Sequence, residues 1–317
     1  MNRLSILTGD CRDILPTLEP GSVQCCVTSP PYWGLRDYGT DGQLGLESTP
    51  EEYIEKMVAV FRAVWRVLRD DGTCWINLGD SYASNPASGG QQSALMTGGE
   101  HKRTPQINGY HRPSGLKPKD LCMMPARLAL ALQADGWYLR SEIVWHKPNP
   151  MPESVTDRPT KAHEMIYLLA KQPSYFYDAE AIREPQSEGT YERFGKNPIP
   201  SSRRKWAEEG IGIKTNLSFD SAIKTMILEN GRNKRSVWTI ATQPYAEAHF
   251  ATFPEEIPKL CILAGSKPGD TVLDPFAGSG TVGQVALELG RKAILIELNP
   301  AYVELAEERT FVTPGFL

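Results

Sequence analysis

The feature that most constrains this chain is a series of short, largely apolar runs, several of them bounded by Gly, Pro or Asp, at 4–7, 23–28, 73–78, 138–145, 165–170, 271–274 and 293–297. Several are apolar at nearly every position, as strands buried on both faces must be, so helices have to cover the sheet from both sides. The segments between them supply those helices. Over 50–69, Tyr53, Ile54, Met57, Val58, Phe61, Val64, Trp65 and Leu68 recur at helical spacing, Glu51 and Glu52 fill the first turn, and Gly72 follows the end. Residues 123–134, 255–264, 281–289 and 301–309 read as further helices. Seven strands alternating with helices predict a doubly wound, mostly parallel α/β sheet, and no internal repeat competes with that reading.

Composition narrows the class. The 317 residues allow two domains or one large α/β domain with insertions, and such a chain needs no disulfide or metal staple. With 40% hydrophobic and 23% charged residues it is globular, not disordered. Lys and Arg number 34 against 38 Asp and Glu, a formal net charge of −4. A nucleic-acid partner would therefore have to be met by local basic patches. The six cysteines (11, 25, 26, 74, 122 and 261) form no CxxC pair and no zinc-spaced cluster with histidine. No apolar stretch approaches the ~20 residues that span a bilayer, and Met1-Asn2-Arg3-Leu4-Ser5 does not read as a secretory leader. A reduced, cytoplasmic protein without a metal is expected, with His146 and His163 structural or pocket-lining.

Two stretches break the pattern, and Gly and Pro, at 52 of 317 residues, already predict long loops. Residues 84–120 are rich in Ser, Gly, Asn, Gln and Pro and include Lys102 and Arg103. Residues 184–245 carry basic clusters at Arg203-Arg204-Lys205 and Arg232-Asn233-Lys234-Arg235; within 196–236, nine Lys and Arg face four acids. Irregular segments of this length inside a compact domain are usually functional, the bland alternative being a solvated loop.

Asp274-Pro275-Phe276-Ala277-Gly278-Ser279-Gly280-Thr281 follows one predicted strand and opens a predicted helix. Glycines 278 and 280 admit a ligand to the backbone, and the helix start offers unpaired N–H groups. Glu297 ends the next strand, where an acid would hold the hydroxyls of a ribose. The pattern favours a nucleoside, but Gly278-x-Gly280-x-x-Gly283 also fits a dinucleotide fingerprint, so NAD and S-adenosylmethionine are not separated by glycine spacing.

Ser29-Pro30-Pro31-Tyr32, with Trp33 after it, follows the strand at 23–28. The two prolines fix a rigid, extended turn outside the carboxyl end of a strand, where open α/β sheets place their chemistry. The Ser29 hydroxyl and the Pro30 carbonyl become fixed acceptors, and Tyr32 offers an aromatic face. That set suits a flat base with an exocyclic amine, flipped out of a duplex; standing alone, the motif fits a Pro-Pro turn with packed aromatics at least as well.

Together, Ser29-Pro30-Pro31-Tyr32 and Asp274-Pro275-Phe276-x-Gly278-x-Gly280-Thr281 resemble the paired signatures of the DNA amino-methyltransferases. Catalytic motif first and cofactor motif last is the order of their β group, and the resemblance covers nearly the whole chain. It implies S-adenosyl-L-methionine as cofactor, held by Asp10 (in Leu7-Thr8-Gly9-Asp10), Phe250 and Thr252 (in His249-Phe250-Ala251-Thr252-Phe253-Pro254), Asp274, Phe276, Gly278, Gly280, Thr281 and Glu297. It implies a base pocket shaped further by Trp145-His146-Lys147-Pro148-Asn149 and His163-Glu164. A dehydrogenase has no use for the base-gripping motif. Methyl transfer would go by direct in-line displacement, with Ser29, Pro30, Pro31 and Tyr32 as catalytic residues. None of the cysteines follows a proline, so the covalent C5-cytosine route is excluded. Ser at the first motif position is associated in the family with N4 of cytosine, and Asp or Asn with N6 of adenine.

The resemblance also implies a catalytic half over 1–177, a target-recognition region over 178–245 and a cofactor half over 246–317. Duplex DNA would be gripped by Lys102, Arg103, Arg203, Arg204, Lys205, Arg232, Lys234 and Arg235. A cognate restriction endonuclease would be a partner, and the protein a monomer or homodimer. An RNA or protein N-methyltransferase and a non-catalytic S-adenosylmethionine-binding module are the competing readings.

Overall fold

The computed structural model describes residues 3–35, 37–83, 115–185, 231–243 and 253–311. By internal contacts the chain divides into a large unit, Met1–Phe176 with Ser236–Leu317, and a small one, Tyr177–Arg235. The large unit carries one eight-stranded sheet: β1 (Leu4–Thr8), β2 (Val23–Thr28), β3 (Leu68–Leu78), β4 (Tyr138–His146), β5 (His163–Ala170), β6 (Val237–Thr239), β7 (Thr271–Asp274) and β8 (Lys292–Glu297). Their order is β1-β8-β7-β2-β3-β5-β4-β6. Only the pairings of β5 with β3 and with β4 are antiparallel. All seven expected strands are present. The eighth, β6, pairs Trp238 with Trp145; its three residues bury only Trp238, too short a pattern to read by periodicity.

Among the described residues the α-helices are α1 (Cys11–Ile14), α2 (Pro50–Val67), α3 (Met124–Ala134), α4 (Glu256–Gly265), α5 (Thr281–Glu288) and α6 (Pro300–Thr310). Alternate residues of the strands face two cores. Cys26, Cys74, Ile76 and Leu78 join Leu15, Met57, Phe61, Val64, Leu128 and Leu132 in the core under α2 and α3. Cys25 and Trp75 face the other way onto α4, so closely that a Cβ on Gly265 would lie 2.9 Å from Cys25 Sγ and 3.0 Å from Trp75 Nε1. Helices therefore cover both faces of the sheet, as doubly apolar strands require.

Helix α2 shows why the sequence folds as it does. Thr49 caps it, accepting from Glu52 N at 3.1 Å, while the Glu52 carboxylate reaches back to the Ser48 N–H and hydroxyl. Tyr53, Met57, Val60, Phe61, Val64 and Val67 are fully buried, each side chain worth about 1.5–3 kcal/mol. The helix was expected to run to residue 69 but ends at Val67. Leu68 is extended at φ −72°, ψ 139° and pairs with Val23 as the first residue of β3. Tertiary pairing overrides helical periodicity there.

In the small unit, residues 177–185 and 231–235 are described. Glu184 and Arg232 form an antiparallel bridge, with backbone hydrogen bonds of 3.0 and 2.9 Å. Gly231 holds φ +72° beside it; a Cβ there would sit 2.5 Å from the Glu184 carbonyl oxygen.

Candidate active site

β1, β8, β7, β2 and β3 run parallel, so their carboxyl ends share one edge of the sheet. β5 runs the other way and brings its first residues, His163 and Glu164, to that same edge. One rim thus collects Asp10 after β1, Glu297 on β8, Asp274 on β7, Ser29 after β2 and Asn77 near the end of β3.

On the cofactor-motif side, Asp274 is buried, and its Oδ1 accepts from Phe276 N at 3.0 Å and from Thr28 Oγ1 at 2.7 Å. Thr28 immediately precedes Ser29, so this bond ties the two sequence motifs together across neighbouring strands. Burial pushes the Asp274 carboxyl up to about 7, with hydrogen bonding opposing and the Glu297 charge adding to the rise. Glu297 is also raised, first by burial, although Oε2 accepts from Gly278 N and Oε1 from Asn299 N, each at 2.8 Å.

Gly278 and Gly280 hold φ +52° and +79°. A Cβ on Gly278 would meet nothing within 4 Å, so the backbone there borders open space, whereas one on Gly280 would lie 2.9 Å from Ala306 Cβ. Thr281 opens α5 and is buried. This open loop has acids at either hand and a helix start beyond it, an arrangement whose backbone N–H groups are open to a ligand. Asp10 caps α1 by accepting from Arg12 N at 2.8 Å and is gripped by the Arg12 guanidinium. Burial opposes its ionisation but the Arg12 contacts outweigh it, so its carboxyl stays below the usual range.

The Ser29–Tyr32 turn is anchored from behind. Tyr53 Oη donates to the Pro31 carbonyl at 2.9 Å, and Trp33 Nε1 to the Glu47 carbonyl at 2.8 Å. Among the described residues none donates to the Pro30 carbonyl. Tyr32 is half-buried. Its hydroxyl donates to Glu164 Oε2 at 2.7 Å and lies 3.3 Å from Asn77 Oδ1. Ser29 Oγ is 3.4 Å from Tyr32 Oη and 3.5 Å from Asn77 Oδ1. Glu164 is in turn paired through Oε1 with Lys147 Nζ at 2.5 Å, and that ammonium lies 4.3 Å from the centre of the Trp145 ring. Burial, then the Glu164 charge, raises the Tyr32 phenol well above its ordinary value. Gly79 is obligatory beside this ring, since a Cβ would approach Tyr32 Cε2 to 2.5 Å. Lys161 donates to the Asp80 carbonyl at 3.1 Å and is lowered by burial.

Thr28, at the head of the Ser29 motif, has no role legible in the sequence, and Asn77 is not singled out by it. The signal for Asn77 was there: one amide in the apolar run Cys74-Trp75-Ile76-Asn77-Leu78. Phe250, Thr252, Lys102, Arg103, Arg203, Arg204 and Lys205 lie outside the described residues. In the small unit, Arg232 and Arg235 both donate to Glu184 Oε1, at 2.7 and 2.5 Å, whereas Lys234 forms no ion pair among the described residues.

A family model described as DNA methylase matches residues 23–308. The chain belongs to this DNA methylase family. Type II methyltransferase M.Cfr9I of Citrobacter freundii is 45% identical over 309 residues, covering 98% of this chain and 88% of its own length. Type II methyltransferase M.SmaI of Serratia marcescens is 45% identical over 304 residues, covering 96% and 89%. Among solved structures, the cytosine-N4-specific PvuII DNA methyltransferase has the same fold, with a TM-score of 0.62 at 18% identity over 99% of this chain and 88% of that one. A DNA modification methylase of Thermus thermophilus, described as putative and complexed with S-adenosyl-L-methionine, gives 0.57 at 25% identity over 100% and 96%. The two segments singled out from the sequence, 29–32 and 274–281, fall at the rim described above. Among the described residues no helix is long and apolar enough to cross a membrane.

Proposed function

We propose that this DNA methylase transfers a methyl group from S-adenosyl-L-methionine to the exocyclic N4 amine of a cytosine flipped out of duplex DNA. What carries the reading is the bond between Thr28 and Asp274, which joins the base-gripping turn to the nucleoside cradle on adjacent strands. When bound, the cofactor supplies an electrophilic methyl group on a sulfonium. Glu297 would accept from its ribose hydroxyls, and the loop from Asp274 to Thr281 would hold its nucleoside. Asp10, Phe250 and Thr252 complete that set. Ser29 Oγ and the Pro30 carbonyl accept the two N–H bonds of the amine. They favour the pyramidal nitrogen whose lone pair is free to attack and hold it in line, where orientation supplies much of the acceleration. Tyr32 walls the base.

Ser29 at the head of the motif supports cytosine, with N6 of adenine as the alternative. The catalytic half is 1–177, the cofactor half 246–317, and target recognition falls to 178–245, where Arg203, Arg204, Lys205, Arg232, Lys234 and Arg235 meet phosphates and base edges, with Lys102 and Arg103 from the loop at 84–120. A restriction endonuclease of matching specificity is the partner this reading implies. The test uses labelled S-adenosylmethionine and unmethylated genomic DNA, digested to nucleosides and separated by mass spectrometry. Label in N4-methylcytosine, lost in Ser29→Ala and Tyr32→Ala, is the expected result. Label in N6-methyladenine would overturn the choice of base, and no label in DNA would overturn the reaction.

A further inference from the structure

The four polar side chains around Ser29 form a chain whose hydrogen-bond directions are decided from one end. At that end Glu164 is held by the Lys147 ammonium, an acceptor-only carboxylate with a fixed counter-charge. Tyr32 therefore spends its one proton on Glu164 Oε2, at 2.7 Å, the shortest bond its hydroxyl makes to an acceptor. Its oxygen turns only lone pairs toward Ser29. Asn77 does the same for an independent reason. Its Nδ2 donates to the Met165 carbonyl at 3.2 Å; the reversed amide would set two carbonyl oxygens against each other. Oδ1 must then face the two hydroxyls.

Ser29 thus meets two acceptors, at 3.4 and 3.5 Å, and no donor within this group. Inward, its single proton finds only acceptors, and with the proton turned that way its lone pairs are left for whatever enters the site.

We propose that Glu164, clamped by Lys147, and Asn77 are positioning residues that fix Ser29 as a hydrogen-bond acceptor for the substrate amine, acting through Tyr32 and through the amide respectively. This rests on the proposed amine methylation. Without the carboxylate, Tyr32 could accept from its neighbour and donate toward Ser29, and Ser29 would then aim its own proton at the amine it has to grip. Tyr32 serves as a relay of polarity as well as a wall for the base.

The experiment is a double-mutant cycle in methyl transfer to DNA between Glu164→Gln and Tyr32→Phe. Glu164→Gln is isosteric and presents an N–H to Tyr32. It should lower kcat by about 10- to 100-fold, the size of loss seen when a partner that orients a working group is removed, with little change in KM for DNA or in cofactor affinity measured by calorimetry. In the Tyr32→Phe background the same substitution should add less than about threefold, because no relay remains. Glu164→Asp should restore part of the rate that Gln loses. Should the uncompensated Lys147 unfold Glu164→Gln, the pair Lys147→Met/Glu164→Gln removes both charges and should show the same loss. Independent, multiplicative effects of Glu164→Gln and Tyr32→Phe would overturn the inference, as would a Glu164→Gln protein as fast as wild type. A folded wild type that labels no DNA would overturn the amine-methylation reading and this one with it.

Discussion

Asp274 sits where its charge is least welcome: buried, near Glu297, and held by only two hydrogen bonds on one oxygen. Its carboxyl gives up a proton near 3.8 when exposed and at about 7 in the fold. The sign follows from linkage. A raised folded-state value contributes stability fully present below the unfolded value and lost as pH rises through the folded one. The ligand-free protein should therefore lose, from this residue, on the order of 4 kcal/mol between about pH 4 and pH 7. Glu297, shifted the same way, adds to the loss. Asp274→Asn keeps both acceptor contacts and removes the titration, so urea melts at pH 5 and pH 8 should show the variant gaining on the parent as pH rises; parallel curves would refute it. A second residue, Gly79, tests the placement of Tyr32. Gly79→Ala puts a methyl where the ring now stands, and kcat should fall at least tenfold while calorimetry finds cofactor binding intact.

At the level of elements, the turn from β7 into α5 depends on Gly280. Its left-handed φ and the approach of Ala306 leave no room for a side chain, so Gly280→Ala should cost about 2 kcal/mol or more from strain and overpacking, seen as a lower midpoint in denaturant melts. β7 and α5 were legible in the sequence because an apolar run closed by Asp and a glycine turn are strong local signals. So were α2 and the placement of Ser29 at a strand end. Less legible were features set by partners far along the chain. Leu68 leaves its helix to pair with Val23, Trp238 becomes a strand only beside Trp145, and Asn77 acquires its orientation from the Met165 carbonyl. The antiparallel direction of β5, which delivers Glu164 to Tyr32, also has no local signature.

Across the whole molecule, a chain of net charge −4 has to hold DNA through a few well-placed cations. In the described part of the small unit, Arg232 and Arg235 also pair with Glu184, whereas Lys234 forms no ion pair among the described residues; on the proposed reading Lys234 is thus the one of the three that meets a phosphate without giving up an ion pair described here. Lys234→Gln should weaken binding uniformly across sequences and reduce the salt-dependence slope by about one, measured by titration between 50 and 200 mM salt. An effect confined to one sequence would mean base reading instead. The strand order carries a consequence for synthesis. β2 lies between β3 and β7, and its last residue, Thr28, leaves the ribosome 246 residues before Asp274. At about 5–20 residues per second that is roughly 12–50 s in which a strand apolar on both faces has an open edge and lacks α4. A nascent chain in that state is a template for aggregation, so yield in the cell should depend on holdase chaperones more steeply than the stability of the finished fold would imply.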